Sequence, residues 1–159
     1  MNADALVALL VASLSGTLLP AQTGRTRLIV IVPASQTVSD FSIADLRRIY
    51  LGEITRWPNG QRIVPVMLAP RSPEADLFLR RVVRMSAIDF AQSWIGAVFR
   101  GRVPAPPLVL SRSADAMRFV TTHQDAMAVV GDDVNIDVTV RIATVDQKSP
   151  EAADYPLMW

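Results

Sequence analysis

Short apolar runs recur along the chain and predict buried β-strands. The first covers residues 27–33 (RLIVIVP), where Val and Ile follow one another until Pro33. Further runs, one of which alternates apolar and polar side chains, lie at residues 63–68, 108–110, 126–130 and 138–145. Each run is only a few residues long, as strands in globular domains are. The pattern therefore predicts a sheet whose strands are spread over the whole chain from Arg27 onward.

Between these runs the apolar residues have helical spacing, and the segments begin with residues that cap helices. Ser42 precedes such a segment and Asp45 follows three residues later, which is the pattern of a capping box. Ser86 and Asp89 repeat the arrangement, and a further helix is predicted over residues 113–122. Because strands and helices alternate, the predicted fold class is α/β, a mostly parallel or mixed sheet flanked by helices.

The stretch RSPEADLF, residues 71–78, follows one predicted strand and opens another helix. Ser72 is the expected N-cap and Pro73 the first helical residue. The N-terminus of a helix suits an anion, because unpaired N–H groups and the positive end of the helix dipole lie there. Glu74 and Asp76 nevertheless stand in the same turn. We therefore expect the chain's own carboxylates to fill the place that an anion would take.

Arginines follow in the same predicted helix, at Arg80, Arg81 and Arg84. Asp76 stands four residues before Arg80, a spacing at which opposite charges meet on a helix surface. This spacing favours a solvated face with salt bridges over a binding site for nucleic acid.

Composition narrows the function classes. The chain has 159 residues, enough for one ordinary domain, and half of them are hydrophobic. Its formal net charge is only +1, which gives no electrostatic attraction for nucleic acid. Trp57, Trp94 and Trp159 are too far apart along the chain to predict a platform on which bases stack. No nucleic-acid partner is therefore expected. The chain contains no cysteine, which excludes disulfides, thiolate metal sites and a cysteine nucleophile.

The sequence contains few residues in arrangements that would support catalysis. His123 is the only histidine, and its place near a predicted helix C-terminus favours a structural role. Asp132, Asp133 and Asp137 follow a glycine without the spacing of a calcium loop, which favours a solvated turn. Gly-rich phosphate loops, nucleophile elbows and His-Glu metal motifs are absent from the sequence. We expect no enzyme activity, no cofactor and no bound metal.

The N-terminus resembles a secretory signal peptide. Residues 5–19 are apolar apart from Ser13, Ser15, Gly16 and Thr17, and Pro20-Ala21 resembles the end of such a peptide. Fifteen residues are short for a membrane span, which needs about 20, so no stable span is expected in the mature chain. The segment before Ala5 lacks Lys and Arg, which leaves a misplaced start or a packed N-terminal helix as alternatives.

Several separated motifs resemble one known family. They are ADLRRIYLGEITRWPNG, the Val-rich strand before RSPEADLF, SWIGAVFRGR, the ADAMRFV helix that leads into AMAVVG, and the final DYPL. Together they resemble the second lobe of the phosphate-binding proteins of ABC transporters. The run D-L-x-x-I-(F/Y)-L-G-x-I-x-x-W is distinctive of that family and is matched from Asp45 to Trp57. The resemblance extends in order over about residues 27–157.

The resemblance implies a single lobe of the type II periplasmic-binding-protein kind, located in the periplasm or secreted. Its predicted parts are a signal peptide at residues 1–21, the lobe at residues 25–147 and a C-terminal tail at residues 148–159 that docks on the lobe. Complete members have two lobes that close on a phosphate. Since about 24 residues precede the first predicted strand, the first lobe is expected to be missing.

The family's anion loop is altered in this sequence. Ser72 matches the family serine, but Pro73 replaces the glycine, Glu74 falls where the threonine belongs, and Leu68 stands in place of the arginine. Ser72 and Arg71 are the candidate ligand-binding residues, for phosphate or another small anion held weakly. The expected site is therefore degenerate.

Two functions from different classes stay open on this basis. In the first, the lobe binds phosphate or another solute alone, by dimerising, or beside a partner that supplies the second wall. In the second, the lobe has lost its ligand and is a protein-protein interaction module. The altered loop favours the second function, whereas the resemblance favours the first.

Overall fold

The computed structural model describes residues 26–159. The predicted signal peptide lies outside these residues. The division of the rest into a lobe at 25–147 and a tail at 148–159 stays a prediction.

Six strands and four α-helices follow one another along the described chain. The strands are β1 (Leu28–Pro33), β2 (Asp40–Phe41), β3 (Val64–Leu68), β4 (Leu108–Leu110), β5 (Ala126–Gly131) and β6 (Val140–Val145). The helices are α1 (Ile43–Tyr50), α2 (Pro73–Phe78), α3 (Ala87–Phe99) and α4 (Ser113–Thr122). The predicted α/β class is confirmed, and the helix predicted over residues 113–122 has these bounds in the structure.

The strands form one mixed sheet in the order β2-β6-β1-β5-β3-β4. β3 runs parallel to both β4 and β5, whereas β1 runs antiparallel to β5 and β6. β1 and β5 are buried along their whole length, as expected for strands covered on both faces. Because β3, β4 and β5 are parallel, their carboxyl ends lie at the same edge of the sheet.

Helices cover both faces of the sheet. Consecutive residues of a strand point to opposite faces, and in β3 this applies to Met67 and Leu68. Met67 shares a surface groove with Trp94 of α3, whereas Leu68 shares a cleft with Met117 of α4. α3 and α4 therefore lie on opposite faces of β3. Among residues 26–159 no helix is both long and apolar enough to span a membrane.

Serine side chains begin three of the helices, as predicted. The hydroxyl of Ser42 accepts a hydrogen bond from the N–H of Asp45 at 2.9 Å, and that of Ser86 accepts one from Asp89 at 3.1 Å. Ser72 caps α2 in the same way. The N-terminal signals of these helices are therefore local, since each cap and its partner lie within three residues of each other.

The helix that begins at Pro73 is shorter than predicted. α2 ends at Phe78 and continues as a π-helical turn, Leu79–Val83, after which Arg84 takes a left-handed conformation with φ of 61°. The expectation that Arg80, Arg81 and Arg84 share one α-helix was therefore wrong. Leu79, Val82 and Val83 are buried in this π-helical turn. Asp76 and Arg80 do form the expected salt bridge.

The C-terminal residues lie beside the start of β1. The N–H of Thr26 donates to the carbonyl of Trp159 at 2.8 Å, and the N–H of Trp159 donates to the carbonyl of Thr26 at 3.0 Å. The N–H of Leu28 donates to the carbonyl of Leu157 at 2.9 Å. Tyr155 and Leu157 are buried in the core. The last residues therefore extend the sheet at this point and cover apolar side chains.

Candidate functional site

The junction between β3 and α2 is a tight turn that ends in a capped helix. The N–H of Ser72 donates to the carbonyl of Ala69 at 2.8 Å, which closes the turn. The hydroxyl of Ser72 then accepts a hydrogen bond from the N–H of Ala75 at 3.1 Å. Pro73 occupies the first helical position, as predicted. The Ser72 hydroxyl is therefore already used by the helix that it begins.

A cleft lies at the carboxyl ends of the parallel strands, with a volume of about 670 Å³. It is formed by the start of α2, the start of α4 and the loop that follows β5, because these segments leave the sheet at the same edge. We call it the polar cleft, and its lining residues are Leu68, Ser72, Glu74, Ser111, Arg112, Ser113, Ala114, Met117, Arg118, Thr121, Asp133, Val134, Asn135 and Asp137.

Two carboxylates of the polar cleft lie close together beside Gly131. A Cβ atom built on Gly131 would lie 2.9 Å from Asp133 Oδ1 and 3.7 Å from Glu74 Oε1. Both carboxylate oxygens thus lie within 4 Å of one point at the end of β5. Glu74 was predicted in this place, whereas Asp133 was interpreted only as part of a solvated turn.

Asp76 does not line the polar cleft. Its carboxylate pairs with Arg80, four residues further along the chain. We expected Glu74 and Asp76 to occupy the anion position together; in the structure Asp133, and not Asp76, stands beside Glu74. Sequence spacing could not show this, because Asp133 reaches the cleft from the far end of β5. That these carboxylates take the place of an anion stays a prediction.

The arginines of the polar cleft are already engaged by an acidic neighbour. Arg112 donates two hydrogen bonds to the carboxylate of Asp115, at 2.9 and 3.0 Å, and Arg118 lies 3.6 Å from the same group. The hydrogen bond from Arg112 holds the pKa of Asp115 below its usual value. One carboxylate thus faces two guanidinium groups, so this part of the cleft keeps an excess of one positive charge.

Of the two candidate ligand-binding residues, one lines the cleft and one does not. Ser72 is part of the lining. Arg71 is exposed and is not among the lining residues. Their assignment as an anion site stays a prediction.

The remaining polar candidates have structural surroundings. The ring of His123 stacks on that of Phe119 with centroids 3.7 Å apart, and its Nδ1 lies 2.9 Å from the Phe119 carbonyl oxygen. Asp137 accepts hydrogen bonds from the N–H and the hydroxyl of Thr139, which lower the pKa of its carboxyl. Within residues 26–159 no group of three His, Asp or Glu side chains is arranged to hold a metal ion.

A second hollow lies on the opposite face of β3, with a volume of about 490 Å³. We call it the apolar groove. Each of its lining side chains is apolar, and they are Met67, Pro70, Ala87, Phe90, Ala91, Trp94, Ile95, Val98, Phe99, Pro106, Pro107 and Val109. Trp94 is buried at its base, where its Nε1–H donates to the carbonyl of Tyr50 at 2.9 Å. The sequence analysis did not identify this surface.

No family model and no curated protein matches the chain. Solved structures do match it. One is an ABC-type phosphate transport receptor from Vibrio cholerae, with 20% identity and a TM-score of 0.66 over 84% of this chain and 54% of that one. Another is PstS from Borrelia burgdorferi, with 12% identity and a TM-score of 0.66 over 84% of this chain and 55% of that one.

A third match was solved with bound phosphate. It is a protein from Clostridium perfringens assigned as a phosphate ABC transporter substrate-binding protein, with 18% identity and a TM-score of 0.63 over 79% of this chain and 47% of that one. The chain thus spans about half the length of these structures. The comparisons confirm the predicted resemblance at the level of the fold: the described chain has the fold of one lobe of the phosphate ABC transporter substrate-binding proteins.

Proposed function

We propose that the chain is an exported, non-enzymatic lobe of the substrate-binding-protein kind whose anion site is degenerate. The observation that carries this proposal is the pair of carboxylates, Glu74 and Asp133, beside Gly131 in the polar cleft. A phosphate beside Gly131 would meet two groups of like charge. Like charges a few ångströms apart repel more strongly near a protein surface than in bulk water.

The start of α2 also has few donors left for an anion. Pro73 has no N–H, Ala75 donates to the Ser72 hydroxyl, and the N–H of Asp76 donates to the Ser72 carbonyl at 3.0 Å. Within the described residues, this leaves only the N–H of Glu74 among the first four positions of the helix. One donor beside two carboxylates is a poor replacement for the several N–H groups that phosphate sites use.

The absence of catalysis is supported by the position of the one histidine. His123 ends α4 and stacks on Phe119, outside the polar cleft. The carboxylates of the cleft have no imidazole or thiol beside them with which to share a proton, because the chain has no cysteine. Weak, non-covalent binding is the chemistry that this cleft supports.

Titration calorimetry with inorganic phosphate tests the degenerate site. The wild-type protein should bind no tighter than millimolar, which is about −4 kcal/mol. The double variant Glu74→Gln, Asp133→Asn removes the like charge and should bind phosphate measurably better. A control variant, Glu53→Gln, Asp76→Asn, changes the net charge equally at two salt-bridged positions outside the cleft and should bind like the wild type.

Each outcome of this titration has a meaning. Micromolar binding by the wild type would overturn the degenerate site and make Ser72 with Arg71 a working half-site. Equal failure of the wild type and both variants would remove the assigned role of Glu74 and Asp133. Tighter phosphate binding by the control variant as well would mean that net charge, and not the position of the two carboxylates, determines the affinity.

Export rests on the N-terminal residues, and it has its own test. If residues 1–21 are a signal peptide, the mature chain begins near Gln22. Mass spectrometry of the protein from the envelope fraction of its native host would give this mass. An intact Met1 on a chain in the cytosolic fraction would contradict export.

A second candidate function, a protein-protein interaction module, is favoured by the apolar groove. Monomeric proteins rarely leave a large contiguous apolar surface in water. In this function the polar cleft is a remnant and the groove is the working surface.

A further inference from the structure

Helix α3 has a buried apolar side and an exposed flank that is apolar as well. Phe90, Trp94 and Ala97 face the core and are buried. On the other side, Ile88 and Ile95 are each 69% exposed and Phe99 is 91% exposed. Asp89 and Gln92 are exposed as well, so these three apolar side chains form a stripe along one flank of the helix, and such stripes normally pack against another surface. The outer side of α3 therefore has the composition of a covered surface.

Strand β4 lies beside α3 and ends the sheet. It pairs with β3 on one side only, since it stands last in the strand order. The carbonyl of Leu110 accepts a hydrogen bond from Ala69, so the polar groups of Leu110 point toward β3. Backbone groups of successive strand residues alternate in direction, and those of Val109 therefore point away from the sheet. This edge can accept another strand.

The exposed surface is large enough to form most of a stable contact. Ile88, Ile95, Phe99 and Val109 together expose roughly 500 Å², near the upper end of what monomers leave uncovered. A standard interface buries about 800 Å² on each partner. These four residues would supply more than half of it.

The charges around the surface fit a second copy of the same chain. The apolar groove has no charged residue, so two copies can meet there without repulsion. α3 has Asp89 in its first turn and ends at Arg100. Two antiparallel copies of α3 would place the acidic start of one beside the basic end of the other. Such a contact is complementary to itself, as two-fold symmetry requires.

We propose that two copies of this chain associate about a two-fold axis through α3 and β4. Ile88 of each copy packs near Phe99 of the other, and the two Ile95 side chains lie near the axis. The two β4 strands pair antiparallel, with each Val109 exchanging both backbone hydrogen bonds with its counterpart. The surface lies on the opposite face of β3 from the polar cleft, so the proposal does not depend on phosphate binding; it rests on the second candidate function and names the partner of the groove.

Sedimentation equilibrium of the full chain, purified with its native N-terminus, tests the association. The wild type should be a dimer at micromolar concentration. The variant Ile95→Asp places a charge near the axis in both copies and should raise the dissociation constant by at least about 100-fold. Val138→Asp is the matched control, since Val138 is 95% exposed and lies outside the groove, and it should remain dimeric.

Thermal melting at low concentration should show the same folded domain for both variants, because both positions are exposed in the single chain. A wild type that is monomeric throughout would overturn the proposal, and this includes the case in which residues 1–25 cover the groove. A dimer that survives Ile95→Asp would also overturn it, because the contact would then lie elsewhere.

Cross-linking tests the strand pairing separately. The chain has no cysteine, so Val109→Cys introduces a single thiol. Hydrogen-bonded antiparallel partners have Cα atoms about 5.5 Å apart, which is within the range of a disulfide. Mild oxidation should convert Val109→Cys to a covalent dimer and leave Val138→Cys largely monomeric. Equal cross-linking of the two variants would overturn the pairing of β4.

Discussion

The polar cleft and the apolar groove lie on opposite faces of the same strand and differ in nearly every respect. Leu68 of β3 lines the cleft and Met67, its neighbour in sequence, lines the groove. The two hollows have similar volumes, about 670 and 490 Å³. The cleft contains charges of both signs, whereas the lining of the groove contains none.

The difference shows which of the two surfaces has groups without partners inside the chain. Charges are paired within the chain in one part of the cleft, where Asp115 forms salt bridges with Arg112 and Arg118. Apolar side chains in the groove cannot be paired in this way, because only burial against another surface removes them from water. The cleft is therefore a polar surface whose charges are paired only in part, whereas the groove is an apolar surface in contact with water.

The largest expected effect is a loss of stability, and it tests which residues of the groove belong to the core. Trp94 is buried at the base of the groove, and Trp94→Ala should lower the free energy of unfolding by about 3–5 kcal/mol. Ile95, the next residue, is exposed, and Ile95→Ala should change it by no more than about 0.5 kcal/mol in the monomer. Urea denaturation at low protein concentration measures both. Similar losses at the two positions would mean that the outer side of α3 belongs to the core.

Two glycines allow the cost of a steric clash near Trp94 to be distinguished from the cost of a positive φ, because both have positive φ and only one is crowded. Gly52 has φ of 72°, and an added Cβ would lie 2.9 Å from atoms of Trp94 and Val103. Gly60 has φ of 85°, with nothing within 4 Å of such an atom. Gly52→Ala should therefore destabilise the fold by about 3 kcal/mol and Gly60→Ala by only about 1 kcal/mol. Equal losses in thermal or urea unfolding would show that Trp94 moves aside freely.

The serine caps allow a direct comparison of the two regions. Ser72 starts α2 at the polar cleft, and Ser86 starts α3 at the groove. Replacement of either by alanine removes one cap and should cost about 1 kcal/mol of unfolding free energy. A clearly smaller loss at Ser72 would show that its hydrogen bond to Ala75 contributes less to the helix than the cap of α3 does.

The smallest expected effect depends on pH. The guanidinium of Arg112 lowers the pKa of Asp115, so the folded state favours the ionised carboxyl. The resulting stability is complete above the ordinary carboxyl pKa, about 4, and is lost as the pH falls through the lowered value. Asp115→Asn should therefore melt slightly below the wild type at pH 7, and the gap should narrow as the pH falls below about 4. A gap that persists in acid would exclude the ion pair as its cause.

Sequence reasoning succeeded where the signal was local. The caps at Ser42, Ser72 and Ser86 and the apolar strand runs each involve residues within a few positions of one another. The two-residue strand β2 was not predicted, because its pairing with β6 comes from distant residues and not from a hydrophobic pattern. The π-helical turn was missed for a related reason, since an apolar helical spacing does not distinguish it from a continued α-helix.

The candidate site was predicted less completely than the fold. Glu74 could be placed at the start of α2 from the sequence, but Asp133 enters the polar cleft through the pairing of β5 with β3. The outer apolar side chains Ile88, Ile95 and Phe99 were visible in the sequence. They could not be recognised as exposed, because the same helix also supplies Phe90 and Trp94 to the core.

The two ends of the described chain are close enough for the backbone to be joined there and opened elsewhere. Thr26 and Trp159 exchange backbone hydrogen bonds, so a short peptide linker could join them without strain. New ends could then be cut in an exposed loop such as residues 104–106. Such a circular permutant should keep the native sheet, because strand order in space does not require strand order in sequence.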